Sequence, residues 1–143
     1  MPYQKILVAV DLGEESQQVL AHAQRLSIND ASKLRLVHVL EPLIFAYGTD
    51  ASINFSEIQE QLEVQAREKI TLLAQKNAIA LEHCHILLGG AADEIHKFAD
   101  EEKADIIVVG SHGRSGLSLL LGSTANAVLH GAKRDVLAVR VSI

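Results

Sequence analysis

Ile6-Leu7-Val8-Ala9-Val10, followed at once by Asp11-Leu12-Gly13, decides the fold. An unbroken aliphatic run does not suit a strand with one wet face. It reads as a strand buried on both sides, the mark of a parallel sheet. The Asp and Gly behind it turn the chain out of the sheet.

The same alternation recurs outward from this run. Residues 14–28, EESQQVLAHAQRLSI, put Val19, Leu20, Ala23 and Leu26 at helical spacing. Glu14 and Glu15 stand in the first turn, where acidic groups favour the helix dipole, and Asn29-Asp30 ends the segment. Leu34–Leu40 is a second strand, stopped at Glu41-Pro42 because proline cannot continue a ladder. Residues 43–54 show no period and read as a loop. A long helix from about Ser56 to Lys76 follows, with Ser56 and Gln59 at capping-box spacing. Its apolar stripe is Ile58, Leu62, Ala66, Ile70 and Leu73. Leu81–Leu88 reads as a third strand. Gly89-Gly90 then leads into a helix at Ala92–Glu102, with Ile95, Phe98 and Ala99 inward. Ala104–Val109 is the fourth strand, Leu117–His130 the last helix, with Leu120, Leu121, Val128 and Leu129 offered to the core, and Asp135–Val141 the final strand. Strict β-α alternation predicts an α/β fold: an open five-stranded parallel sheet with helices on both faces and right-handed crossovers. No repeat or linker interrupts it, so residues 1–143 are expected to form one domain.

Composition narrows the function classes. Apolar residues make up 48% of the 143 and aromatics only 3%, so the core is aliphatic. The formal charge is −5 and no basic run is present, which argues against a nucleic-acid partner. The lone Cys84 excludes an internal disulfide and fits a reducing compartment. The amino terminus lacks the pattern of a secretory leader, and no apolar run approaches the roughly 18 residues of a membrane span. The cytoplasm is the expected location, away from any membrane.

In an open parallel sheet, ligands bind beyond the carboxyl ends of the strands, near the reversal of strand order. The candidates there are Asp11, the segment Val39-Leu40-Glu41, Gly89-Gly90, and above all Gly110–Ser123, GSHGRSGLSLLLGS. Gly110, Gly113 and Gly116 allow close backbone approach, and free N–H groups in such a loop converge on phosphate oxygens. Ser123 and Thr124 behind Gly122 offer two hydroxyls, and Arg114 offers charge. GxGxxG, the Walker loop, the GxSxG elbow and the SGGxDS loop of ATP pyrophosphatases are all absent. Read by itself, the segment serves equally as a ligand loop or as a plain strand-to-helix turn.

Four stretches carry a resemblance: KILVAVDLGEES, LRLVHVLEP, GGAADEIHKFADEEKADIIVVGSHGRSG and LLLGSTANAVLHGAKRDVLAVRV. Together they resemble the universal stress proteins of the small single-domain type over essentially the whole chain. The resemblance implies a Rossmann-like sheet in strand order 3-2-1-4-5. It also implies a homodimer through the terminal strand Asp135–Val141. ATP-binding members of that family carry G-x2-G-x9-G-(S/T), with an Asp after strand one and a Val at the end of strand two around the adenine. By position these are Asp11, Val39, Gly110, Gly113, Gly122 and Ser123. Eight residues, not nine, separate Gly113 from Gly122 here. Within a helix one missing residue rotates the downstream positions by about 100°, whereas a loop absorbs it.

The expected function is therefore a dimeric stress-response regulator binding ATP, with Mg2+ as the accompanying cation, and hydrolysing it slowly if at all. The alternative is a protein of the same fold that binds no nucleotide and acts through protein partners. An adenylate-transferring enzyme would need a catalytic Lys or Arg cluster, which is missing. Asp11 also suits a helix N-cap. His83 and His85 alternate on one predicted strand, but no further ligand sits at a metal-binding spacing. Ser111-His112 lacks an orienting carboxylate for nucleophilic work. Cys84 reads as a small core residue. In the terminal strand, Val136, Ala138 and Arg140 fall on one side, Leu137, Val139 and Val141 on the other.

Overall fold

A computed structural model describes residues 3–42, 55–111 and 123–141. Strand β1 (Ile6–Ala9) lies at the centre of the sheet, as its two-sided apolar character demands. Around it are β2 (Leu34–Leu40), β3 (Cys84–Leu88), β4 (Ile106–Ser111) and β5 (Asp135–Arg140), in the order β3-β2-β1-β4-β5. Every pairing is parallel. Val8 stands between Leu36 and Val108, and Val108 pairs onward with Leu137. Both the fold class and the strand order agree with the sequence expectation.

Period-two alternation splits the core into two layers. Ile6, Val8, Leu34, Leu36, Ile106, Val108 and Val139 face helices α1 (Ser16–Leu26) and α2 (Phe55–Lys76), which contribute Val19, Leu20, Ala23, Ile70 and Ala74. Leu7, Val37, Ile107 and Val109 face α3 (Ala91–Glu102) and α4 (Ser123–His130), which contribute Ile95, Phe98, Ala99, Ala125 and Val128. Consecutive residues of β1 thus feed opposite layers. Leu7 and Val8 are fully buried, each a contribution of roughly 1.5–3 kcal/mol.

Several local expectations are corrected. The third strand starts at Cys84, because Leu81–His83 form a short 3-10 turn closed by the His83 N–H donating to the Ala80 carbonyl at 2.9 Å. The ladder with β2 begins only at the Leu36–Cys84 pair, so Leu81 has no strand to meet and is exposed. Helix α2 starts at Phe55, which puts Ser56 inside the first turn rather than at the cap. Ile58 is exposed, because α2 reaches the core through Ala66, Ile70 and Ala74 in its later turns. Leu129 is exposed as well. Val128 takes the inward position, and one residue further round the helix points away. The expected helical residues before 123, with Leu120 and Leu121, and the loop at 43–54 lie outside the described residues.

Polar ties lock the amino ends of the strands. The Asp105 carboxylate accepts the N–H groups of Gln4 and Lys5, each at 2.8 Å, joining the start of β1 to the start of β4. Arg134 donates to the Ala99 and Ala104 carbonyls at 2.6 and 3.1 Å and pairs with Asp100. These bonds tie the end of α3 and the chain leading into β4 to Arg134, beside the Ala104 N–H that donates to the Ala99 carbonyl at 2.9 Å. The opposite rim is built differently.

Candidate functional site

Strand order reverses between β1 and β4. From β1 the chain moves to β2 on one side, and it returns to β4 on the other. The loops leaving β1 and β4 therefore diverge and open a crevice at their carboxyl ends. Its lining comes from Ala9, Val10 and Asp11 at the end of β1, His38 and Val39 of β2, and Val109, Gly110 and Ser111 of β4. Glu15, just before α1, and the helix residues Val19, Ala91, Ile95 and Thr124 add to it, and Val141 closes the side beyond β5.

Asp11 does not cap α1. The helix begins at Ser16, and the residue before it, Glu15, makes no side-chain cap bond. Asp11 lies too far upstream, and its Oδ1 instead accepts the Gly13 N–H at 2.8 Å and the Ser16 hydroxyl at 3.2 Å. This is an aspartate-stabilised turn that fixes the path out of β1. Leu12 within it has φ 66°, so the turn is held in the left-handed region. The carboxylate is thereby fixed at the mouth of the crevice.

Gly110 answers to packing. A Cβ built on it would stand 3.0 Å from Val19 Cγ2 and 3.6 Å from Val141 Cγ1. Glycine here lets α1 lie close against β4. The missing side chain is thus accounted for by close packing. Val39 is half-buried at the rim and packs into the layer beneath α3. Ser123 and Thr124 are the first two residues of α4, and both are exposed. Only Thr124 of the two lines the crevice. The amino-terminal end of a helix carries the positive end of its dipole, which suits an anion. Gly113, Arg114, Gly116 and Gly122 lie outside the described residues.

Other sequence candidates separate from the site. Gly89 and Gly90 end β3 outside the lining, and Ala91, directly after them, enters it. The expected His83–His85 pair on one strand does not form, because His83 sits in the 3-10 turn. His85 packs on the Phe98 ring at 4.8 Å between centroids. Ser111 is buried and donates its hydroxyl to the Val139 carbonyl at 3.2 Å, a tie between β4 and β5 rather than a nucleophile. His112 lies outside the described residues. Cys84 is half-buried, its Sγ–H donating to the Ala80 carbonyl. Burial pushes the thiol up from its ordinary value and keeps it protonated. Among the described residues no group of three or more His, Cys, Asp or Glu side chains could hold a metal ion.

Motif spacing missed His38, Glu15 and Ile95, which also line the crevice. A signal for His38 existed: it is a polar residue inside an apolar strand, LVHVL, one place before Val39. The His38 Nδ1 bonds the Val10 carbonyl at 2.8 Å.

The sequence profile of the universal stress protein family matches residues 2–140 of this chain. The chain belongs to the universal stress protein family. Among its relatives, universal stress protein A homolog 2 of Coxiella burnetii is 42% identical, over 97% of this chain and 96% of that one. A solved structure of MJ0577, a universal stress protein of Methanocaldococcus jannaschii, superposes with a TM-score of 0.80 at 26% identity and covers 100% of this chain and 99% of that one. A universal stress protein solved in complex with cAMP has the same fold, with a TM-score of 0.59 at 22% identity over 99% and 100% of the two chains. This universal stress protein has no helix among its described residues long and apolar enough to cross a membrane. Its β5 alternates as expected, with Leu137 and Val139 in one layer and Val136 and Ala138 in the other.

Proposed function

We propose that this universal stress protein binds an adenine nucleotide, ATP with Mg2+, in the crevice at the ends of β1 and β4. On this reading it acts as a cytoplasmic stress-response regulator, a single domain that forms a homodimer through residues 135–141. Any hydrolysis of ATP is slow. One observation carries the reading: Asp11, Val39, Gly110 and Thr124, from four separate segments, line a single crevice. The residues fit such a ligand. Ala9, Val39, Val109 and Ile95 offer an apolar wall to a base, and the amino end of α4 suits phosphates. Gly113, Arg114, Gly122 and Ser123 are assigned to the phosphates. Asp11 is assigned to the nucleoside or the accompanying cation. Calorimetry on nucleotide-stripped protein tests this, and absence of binding at millimolar ATP rejects it.

A second reading rests on the eight-residue spacing between Gly113 and Gly122. There the phosphate site is closed, and the dimer works through protein partners. Mass spectrometry of extracts from the purified protein separates the two: co-purified adenine nucleotide favours the first. A gain of ATP affinity on inserting one residue before Gly122 favours the second.

A further inference from the structure

Among the described residues that line the crevice, His38 carries an imidazole whose tautomer is dictated by its neighbours. A carbonyl only accepts, so the 2.8 Å contact between His38 Nδ1 and the Val10 oxygen requires the proton to be on Nδ1. In a neutral imidazole, Nε2 is then left with an open lone pair. The carbonyl that holds the ring is itself fixed, because the Val10 N–H donates to the Val37 carbonyl at 2.9 Å. Val37 is the neighbour of His38, so ring and holder are tied to the same strand, and the ring is clamped rather than free to flip.

The remaining polar lining is of another kind. Asp11 and Glu15 are carboxylates, which attract any donor or cation, and the Thr124 hydroxyl both donates and accepts. The Ser111 hydroxyl is committed to the Val139 carbonyl. An imidazole nitrogen with a fixed tautomer discriminates more sharply, because in the neutral ring it takes a donor and repels another lone pair. We propose that His38 is a specificity-determining residue of this crevice. Its Nε2 accepts a hydrogen bond from a donor on the bound nucleoside, either the exocyclic amino group of the base or a ribose hydroxyl. This rests on the nucleotide reading given above.

The test compares wild type with His38→Asn. Asparagine can still donate to the Val10 carbonyl but ends short of Nε2. Each protein is titrated with ATP, with the triphosphate of purine riboside, which lacks the amino group, and with 2′-deoxy- and 3′-deoxy-ATP. A single neutral hydrogen bond predicts that His38→Asn weakens ATP binding roughly threefold to tenfold. One analogue, the one missing the partner donor, should bind both proteins alike. If His38→Asn leaves every affinity unchanged, the proposal falls and the nucleotide reading stands. If the wild type binds no nucleotide at millimolar concentration, both fall. Nitrogen-15 spectra of the wild-type imidazole, recorded without ligand, give an independent check. A neutral ring is expected to carry its proton on Nδ1, against the Val10 carbonyl, and a neutral ring with its proton on Nε2 overturns the proposal whatever the protein binds.

Discussion

Gly110→Ala, alone and together with Val19→Ala, separates packing from ligand contact at the heart of the crevice. The added methyl group would stand 3.0 Å from Val19 Cγ2, closer than carbon atoms normally approach, and Val19 is only 3% exposed. Val19 is β-branched and stiff, so it cannot swing aside cheaply. Overpacking of this kind costs roughly 1–3 kcal/mol, and removing a glycine offsets roughly 0.4–1 kcal/mol through the unfolded state. The net loss expected for Gly110→Ala is about 1–2 kcal/mol. Val19→Ala alone costs about 2 kcal/mol, from two lost methyl-sized groups and the space they leave. In the double variant the clashing atom is gone, and Val141 Cγ1 at 3.6 Å is an ordinary contact. Introducing Gly110→Ala into that background should be neutral or slightly stabilising. The coupling is then on the order of 1.5 kcal/mol, beyond the ~0.5 kcal/mol scatter of independent sites. Urea denaturation of the four proteins measures it. Additive effects would refute the packing account of Gly110. Because Val19 also lines the crevice, the nucleotide affinity of the double variant is compared with that of Val19→Ala, and the difference reports on approach to Gly110.

Arg134→Ala should destabilise the protein by roughly 2 kcal/mol, because it leaves the Ala99 and Ala104 carbonyls short of a charged donor; an unchanged denaturation midpoint would contradict that. Tyr3 donates its hydroxyl to Asp135 at 2.6 Å, and this bond raises the phenol above its ordinary 10.0. A raised folded-state value means that the contribution is full below the unfolded value and is lost as pH rises through the folded one. Tyr3→Phe should therefore flatten the alkaline part of the stability profile, and an identical profile for both proteins would count against the bond. Asp30 accepts from the backbone and hydroxyl of Ser32, which lowers its carboxyl below the ordinary range. Its contribution is present above the unfolded value and disappears as pH falls through the folded one. Carbon-13 titration of the Asp30 carboxyl should give a depressed midpoint that returns toward normal in Ser32→Ala.

The sheet was legible because its central strands β1 and β4 are buried on both faces. Ile6–Ala9 and Ile106–Val109 have no polar residue to leave their type open, and the helices between them repeat at helical spacing. The strand order came from the resemblance, since alternation alone gives only the class. Legibility failed where neighbours decide. Leu81 looks like a strand residue until the ladder proves to start at Cys84. Asp11 looks like a cap until the helix proves to begin five residues later. The site was half legible for the same reason. Asp11, Val39 and Gly110 stand at strand ends, where the topology places ligands. Glu15 and Ile95 reach the crevice by folding alone, whereas His38 was marked only as a polar residue inside an apolar strand.

The central claim is that the crevice at the ends of β1 and β4 takes an adenine nucleotide. Backbone amide shifts, followed by nuclear magnetic resonance during an ATP titration of stripped protein, test it most directly. The account predicts saturable shifts at Asp11, Gly13, Val39, Gly110, Ser111 and Thr124, with β3 and the carboxyl end of α2 unmoved. A spectrum unchanged at millimolar ATP, or shifts confined to residues away from this crevice, would contradict it.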